Sequence, residues 1–124
     1  MKQITIGSAQ KFQPRQIVCL EHESTYLYAE IIDFVELRQV CWVRPLMLAF
    51  IEVGSAELLA LYDLRLGADL LWPASLFRPA LDTEVIPLLV QLNVSDTSAL
   101  ICSNAHQQLS RFVHEVWQAH KSAF

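Results

Sequence analysis

The residues of this chain that could carry chemistry are its histidines, cysteines and carboxylates. His22 lies between Glu21 and Glu23, a neighbourhood that can support a metal site or an acid–base site. If the segment is a strand, both carboxylates point to the face opposite His22, which favours a solvated edge. The histidines at 106, 114 and 120 are eight and six residues apart. Two ligands on one helical face need an i, i+4 pair, and none is present.

The cysteines and glycines favour no catalytic site either. Cys19, Cys41 and Cys102 form neither a CxxC pair nor an even-numbered set, and their apolar surroundings favour protonated, inert thiols of a reduced cytosolic protein. With only three glycines, the chain has no phosphate-binding loop, and no Gly-x-Ser-x-Gly elbow is present. We therefore predict that the protein is not an enzyme and holds no metal or cofactor.

Composition points instead to a protein partner. The chain has 124 residues, which suits one domain, and it is 53% hydrophobic but only 18% charged. A small domain cannot hide so much apolar surface, so some should be covered by something else, although an unusually apolar monomer is an alternative. The net charge of −4 argues against nucleic acid. No signal peptide or run of about 18 apolar residues is present, so we expect a cytoplasmic protein away from membranes.

The candidate partner-binding residues are aromatic and arginine side chains in the middle of the chain, the types that dominate interface hot spots. They surround the apolar run Val40–Ile51, whose only charged residue is Arg44. On a strand, Trp42 and Arg44 share a face opposite Cys41. Either these two face outward, or Trp42 is core and Arg44 pairs with a carboxylate. The full set is Trp42, Arg44, Tyr62, Arg65, Trp72, Phe77 and Arg78.

Local patterns predict strands first and helices last. Strands are expected at 17–20, 26–35 and 40–48, with the last two joined through the turn at 36–39. A second hairpin is expected between 58–65 and 69–72, with Gly67 at a positive φ. The segment 73–79, bracketed by prolines, predicts a 3₁₀ turn that tucks Leu76 and Phe77 inward. Asp82 is a plausible N-cap for a first helix, and a second begins at Asp96 or Thr97.

These elements predict an α+β fold: a small bent antiparallel sheet of about five strands, resembling an SH3-like barrel, closed off by two C-terminal helices. We expect one domain over residues 1–124, with an N-terminal leader at 1–15, a β-rich barrel at 16–80 and a helical cap at 81–124. In this arrangement Trp42, Arg44 and the segment 72–78 should lie near one another around a common groove.

The stretch from Pro14 to Pro87 resembles a group of short cyanobacterial proteins that includes the carboxysome assembly factor CcmS. The segments that carry the resemblance are Pro14–Leu20, Tyr28–Ile32, Cys41–Pro45, Leu61–Leu64, Trp72–Pro79 and Thr83–Leu89. The resemblance implies a chaperone-like partner of the C-terminal extension of a carboxysome shell hexamer protein, and a place beside the carboxysome. It supplies no functional residue position by position.

We therefore expect a non-enzymatic protein-binding or assembly factor that captures an extended apolar peptide or tail, for example the extension of a shell protein. Two alternatives stay open. One is a small metal-dependent or catalytic domain, built on residues 21–23 or on an unrecognised pairing of cysteine and histidine across the fold. The other is an obligate homo-oligomer, such as a homodimer, whose apolar surface is its own interface.

Overall fold

The computed structural model describes residues 12–94 and 104–124. The strands are β1 (Ile17–His22), β2 (Thr25–Val35), β3 (Val40–Ile51), β4 (Leu58–Asp63), β5 (Leu70–Pro73) and β6 (Arg78–Pro79). The helices are α1 (Asp82–Val94) and α2 (Ala105–Ala119), and short 3₁₀ turns span Glu36–Arg38, Ala74–Leu76 and Lys121–Ala123. Residues 1–11 of the expected leader, and the expected helix start at Asp96 or Thr97, lie outside the described ranges.

The strands form one antiparallel sheet in the order β4-β3-β2-β1-β6, and β5 also pairs with β3. The turn between β2 and β3 contains neither glycine nor asparagine, and Gln39 takes the left-handed conformation there at φ 52°. The long strand β3 pairs with β2 along one edge. Its other edge pairs with β5 through residues 40–43 and with β4 through residues 47–51. β3 is therefore the centre of the fold.

The α+β class and the order of strands before helices are confirmed, whereas the barrel is not found. Six strands form an open sheet among the described residues, and no pairing joins its two ends. The physical reason is that each face of the sheet has its own cover. Helix α2 packs on one face through Leu109, Phe112 and Val116, and α1 packs on the other through Val85 and Leu92. A closed barrel would turn one face inward and leave only the outer face for both helices.

The second expected hairpin is wrong in its pairing. Both of its strands exist, but each pairs with β3 and not with the other. The connection between them dips into the core at Leu64, which is 4% exposed, so the chain does not reverse in a tight turn. The amide of Gly67 donates to the carbonyl of Leu64 at 3.0 Å, and Gly67 does not adopt a positive φ. Alternating hydrophobicity fixes which face a strand buries but leaves its neighbour open.

The expected leader ends earlier than residue 15. Phe12 is 4% exposed and packs edge-on against Phe34, with the ring centroids 6.1 Å apart. The amide of Arg15 donates to the carbonyl of Ile31, and the amide of Ile31 donates to the carbonyl of Gln16. Residues 12–16 therefore belong to the folded domain.

The first helix and the proline-bracketed turn each bury apolar side chains. Val85 and Leu92 are buried on α1, with Leu88 and Leu89 half-buried beside them. Pro87 lies inside α1, where it removes one helical hydrogen bond. The 3₁₀ turn at 74–76 is present, with Phe77 buried and Leu76 packed against the core. Within the described ranges, no helix has both the length and the apolar character needed to cross a membrane.

Candidate partner-binding surface

One half of β3 is covered on both sides and the other half on one side only. Residues 47–49 are all buried, whereas residues 41–45 alternate between buried and exposed. The change occurs at Leu46, where a bulge in the pairing with β2 places Tyr28 opposite Met47 and Ala29 opposite Pro45. Helix α1 covers one face of the sheet, the side of Met47 and Ala49, over the second half of β3 only. The first half is therefore left uncovered on the side of Trp42.

We call this uncovered region the open face. It consists of three rows across β2, β3 and β5, defined by the strand register and, for Asp69 just before β5, by its contact with Arg44. Val35 and Leu71 are exposed by 38% and 65%, and Trp42 by 42%, so apolar area lies in the open face beside charged groups. The rows are Glu30, Arg44 and Asp69; Asp33, Trp42 and Leu71; and Val35, Val40 and Pro73.

Asp69 fixes the two candidate side chains of the open face. The indole Nε1–H of Trp42 donates to Asp69 Oδ2 at 2.9 Å, and Arg44 Nε lies 3.5 Å from Asp69 Oδ1. Both sequence interpretations are therefore partly confirmed: Trp42 faces outward, and Arg44 has a carboxylate partner. Because one carboxylate holds both groups, the indole is presented to solvent in a defined orientation, which lowers the entropy cost of a contact.

The open face continues to an unpaired strand edge. β5 pairs with β3 on one side, and within residues 12–94 and 104–124 no strand pairs with its other side. The amide of Ala74 donates to the carbonyl of Gln39 at 2.8 Å. By the alternation of an antiparallel ladder, the main-chain N–H and C=O groups of Leu70 and Trp72 then point toward β3. Those of Leu71 and Pro73 point away from it, in the plane of the sheet. The outer edge offers the N–H and C=O of Leu71 and the C=O of Pro73.

A cleft of about 550 Å³ lies beside this edge. This volume is in the range of sites that take small ligands or a few side chains. One lining residue is Phe124, whose ring packs edge to face against the ring of Trp72 with the centroids 5.3 Å apart. The cleft is lined by Arg38, Gln39, Val40, Leu71, Pro73, Ser75, Ala123 and Phe124.

The expected common groove is not formed, because its residues are divided between two sides of the sheet. Trp72 pairs with Cys41 and Leu71 with Trp42, so the two tryptophans point to opposite faces. Trp72 is 7% exposed and Phe77 is 3% exposed, and both belong to the core under α2. Tyr62 packs against the same core, with its ring 5.6 Å from Phe50. Of the aromatic candidates, Trp42 alone lies on the open face.

Arg65 and Arg78 are engaged within the chain. Arg65 makes a bidentate contact with Asp63 through Nε and Nη2 at 2.9 and 2.8 Å, and its Nη1 donates to the side chain of Asn93 on α1. Arg78 donates to both oxygens of Glu84 on α1 at 2.9 and 3.0 Å. The two arginines therefore tie the two ends of α1 to the sheet. Their role in binding a partner stays a prediction.

Glu84 is the centre of the stronger of these two ties. Its carboxylate also accepts the hydroxyl of Tyr28 at 2.7 Å and the amide of Leu81 at 2.8 Å, which satisfies an amide at the start of α1. The hydrogen bonds from Arg78 contribute most to lowering the pKa of Glu84 from 4.5 to about 2. Burial, and next the hydrogen bond to Glu84, raise the pKa of Tyr28. This network anchors α1, which in turn limits the open face.

Cys19 and Cys41 are buried, and His22 lies near Glu23 and His120. Burial raises the pKa of the Cys19 thiol to about 12 and that of Cys41 to about 11, so both are protonated at neutral pH. His22 Nε2 lies 3.8 Å from a Glu23 oxygen, and its ring lies 6.3 Å from that of His120. Within residues 12–94 and 104–124 no group of three or more His, Cys, Asp or Glu side chains is arranged to hold a metal. Cys102 lies outside those ranges.

Sequence reasoning missed Leu71, Asp69 and the outer edge of β5. Both residues were expected in the second strand of a hairpin, at 69–72, and neither was expected to contribute to binding. Pro73 carried a usable signal, because a proline in a strand indicates an edge strand or a bulge.

Comparison with protein-family models, with curated proteins and with solved structures finds no match to this chain.

Glu84 generates a prediction about acid stability. A carboxylate whose pKa is lowered on folding stabilises the fold fully above its unfolded pKa, here 4.5, and this contribution is lost as the pH falls toward about 2. Glu84→Gln should cost about 1–3 kcal/mol at neutral pH and should flatten the loss of stability in acid. Urea unfolding across this pH range measures both effects. The matched control Glu57→Gln changes an exposed carboxylate in a loop, and an equal loss there would contradict the assignment.

Truncation of Trp72 should lower the free energy of unfolding much more than truncation of Trp42. Trp72→Ala removes a core side chain and should lower the free energy of unfolding by about 3–5 kcal/mol, enough to abolish a cooperative transition in a marginal domain. Trp42→Ala removes a half-exposed ring and one hydrogen bond, and should cost about 1 kcal/mol. Thermal melts of both variants measure the difference. Comparable losses would show that the indole of Trp42 is needed for folding.

Proposed function

We propose that the protein is a non-enzymatic binding or assembly factor that captures an extended apolar segment of a partner protein. The observation that carries the proposal is the conjunction of an uncovered half-face and an unpaired strand edge at the same place, around Trp42 and Leu71. Strand addition uses these two features together: main-chain hydrogen bonds supply affinity, and alternate side chains enter pockets for specificity. A segment paired with β5 would direct one set of side chains onto the open face and the other toward the cleft.

The chemistry of the edge suits a transient or regulated partner. Only three outward main-chain groups are available, since Pro73 has no N–H. A short edge of this kind supports few hydrogen bonds. Most of the affinity therefore has to come from contacts of the partner's side chains with Trp42, Leu71 and the cleft. This is the expected behaviour of an assembly factor that must release its client.

For the identity of the partner, the resemblance to the group that includes CcmS supplies the first candidate. We propose to test the C-terminal extension of a carboxysome shell hexamer protein, as a synthetic peptide, before any other segment. The sheet edge and the cleft set no requirement that the segment be a chain terminus, so internal apolar segments are the second class to test. Association with the carboxysome belongs to this part of the proposal.

The edge generates a prediction for peptide binding. Leu71→Pro removes the outward N–H and the leucine side chain while leaving the hydrogen bonds between β5 and β3 in place. It should weaken binding of a captured peptide about tenfold or more, and Leu71→Ala, which keeps the N–H, should weaken it less. Calorimetry measures the affinities. Amide hydrogen exchange of Leu71 in the wild-type protein should slow on binding.

The matched control is Leu59→Ala, because Leu59 is 52% exposed on β4, which pairs with the other half of β3. It should leave peptide affinity unchanged, and thermal melts confirm that each variant is folded. Binding that is equally weakened by Leu59→Ala, or insensitive to Leu71→Pro, would place the site elsewhere.

A homodimer is the second candidate, and one observation favours it. The outer side of α1 exposes Ile86 by 56% and Val90 by 53%, and no residue from Val85 to Val94 is charged. A helix with apolar residues on its outer side commonly packs against another chain. A second copy would supply the same uncharged stretch of α1, residues 85–94, in a twofold interface.

Light scattering at micromolar concentration separates the two candidates. The peptide-binding proposal expects a monomer whose mass does not change in the variant Val90→Lys. A dimer that dissociates to monomers in Val90→Lys, but not in the surface control Leu66→Lys, would assign the apolar surface of α1 to self-association.

A further inference from the structure

We infer that the segment captured at β5 carries a lysine or arginine, whose charged group lies over the indole of Trp42 and is attracted by the carboxylate of Asp33. The inference rests on the proposed function and deepens it by assigning the chemistry of one partner residue. It comes from the middle row of the open face, where Asp33, Trp42 and Leu71 are neighbours across three strands.

The carboxylates of the open face differ in what they bind. Asp69 is shared between the indole of Trp42 and the guanidinium of Arg44. Asp33 Oδ1 accepts the amide of the next residue, Phe34, at 2.8 Å. Within residues 12–94 and 104–124, no cation pairs with Asp33. It is therefore an exposed carboxylate on the row of an exposed indole.

The nearby cations leave this position acidic. Arg44 lies one row away and is held by Asp69, and Arg15 lines a separate depression with Glu30 and Arg44. Arg38 lines the cleft, beyond Val40. The row of Trp42 contains one carboxylate and no cation, so its charge complements a basic side chain. An acidic side chain at the same place would be repelled by Asp33 and Asp69.

An indole with a carboxylate on its far side favours a cation. The ring attracts an ammonium or guanidinium group through its quadrupole, and the carboxylate adds Coulomb attraction across the ring. The hydrogen bond from Nε1 to Asp69 holds the ring in place, so little of the gain is spent on ordering Trp42. The methylene stem of the lysine or arginine would cover Leu71, which is 65% exposed.

The test uses three capped pentapeptides of sequence Val-Thr-X-Thr-Val, where X is lysine, norleucine or glutamate. In a strand added to β5, X and both valines point to one face, and the threonines to the other. Norleucine keeps the stem of lysine without its charge. Titrations followed by amide chemical shifts of the wild-type protein should show lysine binding about three- to tenfold more tightly than norleucine, and glutamate most weakly.

Variants then assign the preference to its residues. Asp33→Asn and Trp42→Leu should each reduce the preference for lysine, whereas Trp42→Phe should retain most of it because a ring remains. The control Glu57→Gln should not change it. Raising the salt to about 0.5 M should lower the affinity for the lysine peptide and leave that for the norleucine peptide nearly unchanged.

Two failures are distinguishable. If lysine and norleucine peptides bind equally and both shift the Leu71 amide, the cation inference is wrong and the proposed function stands. If none of the three peptides shifts that amide, capture along β5 fails, and the inference fails with it. A preference for lysine that survives Asp33→Asn and Trp42→Leu would place the cation elsewhere.

Discussion

The structure depends on the need to cover both sides of one long apolar strand. β3 contains a single charged residue in twelve, and it supplies one edge to β2 and the other to β4 and β5. After the bulge at Leu46 its residues are buried on both faces, so the sheet needs a helix on each side. α2 covers one face and α1 covers half of the other. The exposed half of β3 follows from the short reach of α1.

Composition alone does not tell which arginines face a partner and which pair within the fold. Arginine is favoured both in interfaces and in ion pairs within a fold, because its planar group binds a carboxylate with two hydrogen bonds. Arg65 and Arg78 make such pairs with Asp63 and Glu84, and both reach α1. A sequence does not distinguish the two uses, since the carboxylate partner of Arg78 is six residues away on a different element.

Local patterns predicted most elements of this fold but little of its topology. Alternation placed Cys41 and Val43 inward and allowed Trp42 and Arg44 outward, as observed. The proline-bracketed segment forms the expected 3₁₀ turn at 74–76, but its ends, Pro73 and Arg78–Pro79, pair as strands, which was not expected. The pairing of β5 with β3 was not predictable, because Leu70 and Trp72 bury the same face whichever strand lies beside them. The burial of Leu64, which prevents a tight hairpin, is a tertiary effect. The candidate site was half predicted, through Trp42 and Arg44, and Leu71 was missed with the pairing.

An exposed strand edge is a hazard as well as a site, and β5 carries features that limit the hazard. It has four residues, ends in Pro73 and begins next to Asp69, and short length, proline and charge each oppose pairing with an identical edge. A long apolar edge would pair with any extended chain. On β5 the few free main-chain groups make pairing weak unless the side chains of the added segment also fit Trp42, Leu71 and the cleft. Protection of the edge and selectivity for a partner therefore have the same physical origin.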